Sequence, residues 1–108
     1  MTIPSDAAFA LRDLVAATPD GIASRVLSKE AGGSLTLFAF DAGQGLSEHV
    51  SPAEALILVT EGTFSLTVGV TRIEATANTA VRLPAGVPHS VEASTAGRML
   101  LFMLKVQR

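Results

Sequence analysis

The apolar positions change their period once along the chain. From Ser5 to about Ala17 they recur at helical spacing. Ala7, Leu11, Leu14 and Val15 would line one side of a short amphipathic helix that Ser5 or Asp6 can cap. Thr18-Pro19-Asp20-Gly21 ends it with turn residues. After Gly21 the period is two. "IASRVLSK" puts Ile22, Ser24, Val26 and Ser28 on one face. "SLTLFAFD" points Leu35, Leu37 and Ala39 one way and Thr36, Phe38 and Phe40 the other, so its end is apolar on both faces and reads as buried on both. "LSEHV" is a short extended piece before Pro52. "EALILVTEG", "TFSLTVG" and "VTRIEA" form a meander through Gly62 and Gly69, and "AVRLP", "HSVEA" and "RMLLFMLKV" follow. Eight or nine short strands separated by turn signals predict an all-β sandwich or barrel behind an N-terminal helical arm. The arm spans 1–20 and the barrel 21–108, together one domain.

Composition adds limits. At 108 residues the chain can bury roughly two-thirds of its unfolded surface, enough for a core without staples. It has no cysteine, which removes disulfides, thiolate metal sites and cysteine nucleophiles. Eight basic residues against ten acidic ones leave no cationic stripe, and there is no Trp or Tyr to stack bases, so nucleic acid is not an expected partner. "ALILV" and "MLLFML" are too short to span a bilayer, and Arg12-Asp13 interrupts any leader-like run. The expected setting is cytoplasmic, with no membrane partner. A hydrophobic fraction of 48% is high for a small monomer, which predicts a homodimer interface or strands covered on both faces within one chain.

The candidate chemistry rests on the two histidines, His49 and His89, 40 residues apart. Alternation puts His49, Ser51 and Ala55 on a common face. Arg82, opposite in parity to Val81 and Leu83, reads as outward. Met99 and Met103, with Phe38 or Phe40, read as core.

The two histidine segments resemble the cupin superfamily of small antiparallel jelly-roll barrels. Its first motif is Gly, five residues, His-x-His, three or four residues, Glu, six residues, Gly. Here Gly43, His49 and Gly62 fall in register. Its second motif is Gly, five residues, Pro-x-Gly, two residues, His, three residues, Asn. Here Pro84, Gly86 and His89 match, while Asn78 stands for the Gly and Ala93 for the Asn. The stretch Leu37 to Pro52 also resembles a subgroup of very small cupins whose role is largely unassigned.

The resemblance implies that His49 and His89 meet at the mouth of the barrel. It also implies a metal site of three His and one Glu, of which only His49 and His89 remain. The second His falls on Ser51, and the Glu on Ala55 or Leu56. A divalent transition metal (zinc, nickel, iron or manganese) would need a third ligand, for which Glu54 or Glu48 is the nearest candidate. Three functional readings follow. The first is a small organic molecule bound at the mouth by His49, Ser51, Ala55 and His89. The second is a metal-dependent oxygenase or isomerase with an atypical ligand set. The third is a dimeric scaffold.

Overall fold

The computed structural model describes residues 3–105. It contains nine antiparallel strands: β1 (Ile22–Glu30), β2 (Gly33–Phe40), β3 (Gly45–His49), β4 (Glu54–Glu61), β5 (Phe64–Val68), β6 (Thr71–Ala75), β7 (Thr79–Leu83), β8 (His89–Ala93) and β9 (Gly97–Leu104). The expected last strand residue, Val106, and the outermost ends of both expected segments lie outside the described residues.

The strands form a five-stranded sheet ordered β1-β2-β9-β4-β7 and a four-stranded sheet ordered β3-β8-β5-β6. Each sheet interleaves early and late strands, so residues distant in sequence become neighbours. Each sheet keeps its own hydrogen-bond ladder, so the all-β expectation holds in the form of two facing antiparallel sheets that do not close into one continuous sheet.

The core fills the space between them. Phe40, Ile57, Val59 and Met99 come from the large sheet and Phe64 and Leu66 from the small one, all essentially inaccessible to solvent. Phe40 and Phe64 meet edge to face across the gap, with ring centroids 5.1 Å apart. Each such side chain contributes roughly 1.5–3 kcal/mol on burial. The methionines read as core lie there: Met99 is buried and Met103 packs against the cluster.

The expected N-terminal helix does not form. Only Leu11–Asp13 makes a 3-10 turn, without a side-chain cap from Ser5 or Asp6. The rest of the arm is an irregular strap across the outer face of the large sheet. Leu14 is its anchor, buried against Leu37 and Leu100. Carbonyls that a helix would use internally are taken by the sheet instead: Arg25 donates to Leu14 O and Arg98 to Val15 O. Arg12 pairs with Glu61, which also pairs with Arg98. A helix of this length is marginal on its own, and these tertiary contacts outweigh its propensity.

Two turn positions explain departures and matches in the sequence. Asn78 has φ of 67°, a left-handed conformation that Asn tolerates better than most residues, so it can stand where the motif has Gly. Gly62 has φ of 80°, and a Cβ there would lie 2.5 Å from Ala96 O, which leaves no room for a side chain.

Candidate functional site

His89 opens β8 and is buried, on the same face as Val91 and Ala93. Its neighbour is β3, where Gly45 lies opposite Glu92 and Leu46 opposite Val91. Continued without interruption, that register would set Glu48 opposite His89. A bulge between Leu46 and His49 adds one residue, and His49 takes the place instead. The bulge therefore keeps both Leu46 and His49 on the inner face. His49 remains exposed on the mouth side.

The two imidazoles face each other edge to face, with centroids 4.2 Å apart. Their Nε2 atoms are 2.9 Å apart. Each ring also meets, through Nδ1, the carbonyl two residues before it in the chain: His49 with Ser47 O at 2.9 Å, and His89 with Val87 O at 3.2 Å. A carbonyl can only accept, so an Nδ1 that bonds one carries the hydrogen, and the tautomer of each ring decides which nitrogen donates at each contact.

Around the pair lies a cavity of about 50 Å³. The small sheet contributes Leu46, His49, His89 and Val91. The large sheet contributes Ala55, Ile57, Leu83, Met99, Leu101 and Met103, and the β3–β4 loop contributes Ser51. The fold thus brings His49, Ser51, Ala55 and His89 to one place. Ser51 ties the two motif segments together: its carbonyl accepts from Gly86 N–H at 2.9 Å, and its Oγ accepts from Ala53 N–H at 3.1 Å. Gly86 makes that turn with φ of 77°. The apolar walls were not singled out from sequence as pocket residues. Two-residue alternation from Ala55 to Ile57 and from His89 to Val91 is the signal that places them.

The carboxylates considered as third ligands are not brought to the pair. Glu54 is opposite in parity to Ala55 and Ile57, so it faces the outer side of the large sheet, where it pairs with Arg82. The Arg82 guanidinium holds its carboxyl below the usual value. Glu48 is exposed and does not line the cavity. Glu92 opens onto the opposite side of the small sheet, in a shallow groove with Ser65, Thr67, Arg72 and Ser90.

The fit to a metal is therefore incomplete. Two nitrogens bound at right angles to one metal would stand about 3 Å apart, close to what the pair shows. Among the described residues, however, no group of three His, Cys, Asp or Glu side chains is placed to hold a metal. Zinc sites take three or four protein ligands. Among those residues, too, no helix is long and apolar enough to cross a membrane.

Comparison with known proteins agrees with this architecture. A conserved protein of unknown function from Streptococcus pyogenes superposes with a TM-score of 0.92 at 27% identity, over 98% of this chain and 93% of that one. A cupin superfamily protein from Desulfitobacterium hafniense superposes with a TM-score of 0.91 at 22% identity, over 96% and 95% of the two chains. A cupin 2 conserved barrel domain protein from Leptotrichia buccalis gives 0.85 at 28% identity, over 90% of this chain and 47% of that one. No curated protein matches by sequence. The sequence pattern of the cupin domain matches residues 36–105, which include both histidines and the β3 bulge. By that match and by its paired sheets, the chain belongs to the cupin domain family.

Proposed function

We propose that this chain is a small-molecule-binding cupin, with its ligand seated in the cavity beside His49 and His89. One observation carries the reading: the polar groups His49, His89 and Ser51 converge on a cavity otherwise walled by apolar side chains. A concave apolar site with few directed polar groups is the usual form of a small-molecule site. The cavity volume favours a compact ligand. Titration with a panel of small organic molecules, followed through the Met99 and Met103 methyl resonances, tests it. Saturable shifts are expected in the wild type and their loss in Ala55→Leu, which fills the cavity. Absence of any saturable shift would count against the reading.

The Nε2 separation favours a second reading, a metal-dependent enzyme in which ligand or water supplies the donors that the protein lacks. The metal would supply Lewis acidity, and the chain's own part would be two imidazoles held in orientation by the carbonyls of Ser47 and Val87.

A homodimer belongs to either reading. The outer face of the large sheet carries exposed Leu56 and Leu104, beside Leu58 and Phe102, which pack against the cluster of Leu14, Leu37 and Leu100. Light scattering is expected to give a dimer, and Leu56→Glu with Leu104→Glu a monomer. A monomeric wild type at working concentration would remove this proposal.

A further inference from the structure

The outer face of the small sheet is polar throughout. Every outward position of β5, β6 and β8 carries a hydroxyl or a charge: Ser65 and Thr67, Arg72 and Glu74, Ser90 and Glu92. An antiparallel sheet often turns a polar face to water. Two features set this one apart.

The first is its shape. The middle of the face carries short, half-buried side chains, Ser65, Thr67 and Ser90, and the longer Arg72 and Glu92 flank them in exposed positions. On the β3 side Gly43 and Gly45 have no side chain to fill the space. The result is a groove of about 540 Å³, with a second hollow of about 310 Å³ beside Glu74 and Ser94.

The second is its unused hydrogen-bonding capacity. Arg72 donates through Nε to Ser65 Oγ at 3.0 Å, which draws the guanidinium toward β5 and leaves its terminal N–H groups open. Among the described residues, the carboxylates of Glu74 and Glu92 and the hydroxyls of Thr67 and Ser90 make no hydrogen bond or ion pair with protein.

The chemistry of the face narrows the occupant. Glu74 and Glu92 stand opposite Ser65 from either side, two strands apart, with about 10 Å between their backbones. Among the described residues no third ligand joins them, so they do not make a cation site. One guanidinium among two carboxylates does not suit an anion. A face without an apolar anchor does not suit a protein partner. A neutral molecule dense in hydroxyls matches it, because each hydroxyl both donates and accepts. Such a molecule can give to Glu92, take from Arg72 and pair either way with Thr67 and Ser90.

We propose that this groove binds a sugar in its pyranose form, held over Ser65 and Thr67 between Arg72 and Glu92. The site is separate from the histidine cavity, which lies on the other side of the same sheet. None of the six outward residues is aromatic, so ring stacking does not contribute. Half-saturation on the order of 1–10 mM is expected.

Titration of the isotopically labelled protein with the methyl α-pyranosides of glucose, mannose and galactose tests it, read from the backbone amides of Ser65, Thr67 and Ser90. Tetrahydropyran-2-methanol, the same ring with one hydroxyl, is the control. At least one sugar is expected to give saturable shifts on these amides, and the control none at the same concentration. Arg72→Met and Glu92→Gln, both exposed changes, should each weaken that binding about five- to tenfold, while Arg82→Met on the other sheet leaves it unchanged. The proposal is overturned if none of the three sugars gives a saturable shift up to about tenfold above that range, if the control binds as well as the sugars, or if Arg72→Met and Glu92→Gln bind like wild type. Saturable shifts confined to His89 and Met103 would place the sugar in the histidine cavity and overturn it too, leaving the reading of that cavity intact.

Discussion

His49 lies directly opposite His89 on the neighbouring strand, and it does so because β3 carries one residue more than a regular ladder would. The nitrogens that meet at 2.9 Å are the two Nε2 atoms, each ring being held from behind by a carbonyl two residues earlier in its chain.

That relationship makes deletion of Glu48 informative. Removing one residue from the bulge leaves Leu46 opposite Val91 and His49 two places further on, again opposite His89. The variant is expected to fold and to keep the coupled ring resonances of the two histidines. In an unbulged strand the same deletion would turn His49 to the other face, so loss of the coupling in a folded variant would contradict the register described.

The strap across the large sheet is anchored in the apolar layer by Leu14. Leu14 is buried against Leu37 and Leu100, while the residues before the 3-10 turn are mostly exposed. Leu14→Ala should cost about 2–3 kcal/mol in urea unfolding through the lost transfer and the cavity left. Phe9→Ala, an exposed change in the same strap, should lie within about 0.5 kcal/mol of wild type.

Acid should weaken the fold through two carboxylates. Glu61 is held below its ordinary value of 4.5 by Arg98 and then Arg12. Asp41 is held below 3.8 by the backbone N–H groups of Asp20 and Ala42. A lowered folded value means that protons bind the unfolded chain more readily. The contribution of each group is present above its ordinary value and is lost as pH falls through the lowered folded value. Urea midpoints should therefore be level from pH 7 to about 5 and fall below about 4.5. Glu61→Gln with Asp41→Asn should flatten that fall, and an unchanged slope would show that these contacts do not set the acid response.

Much of this was legible in the sequence, for identifiable reasons. Alternation after Gly21 located the strands to within a residue or two at most ends. The parity of Glu54 against Ala55 already pointed its carboxylate away from the inner face. The bulge was not legible, because no Gly or Pro marks Ser47 or Glu48, and simple alternation from Leu46 would bring Glu48 to the histidine. The arm was misread for a different reason. Ala7, Leu11, Leu14 and Val15 do have helical spacing, but Arg25 and Arg98, far along the chain, take the carbonyls of Leu14 and Val15. Side chains that reach back from other strands leave no local signal. The walls Leu83, Leu101 and Met103 were read only as apolar, since which of them borders a cavity depends on how the two sheets face each other.

The central claim is that the chain holds its ligand without a metal site complete in protein donors. Elemental analysis of protein purified without chelator and dialysed against metal-free buffer tests it most directly. The account predicts well under one equivalent of any transition metal in the wild type, with the same content in His49→Ala and His89→Ala. One equivalent of zinc, nickel, iron or manganese surviving dialysis, and lost in either variant, would contradict it.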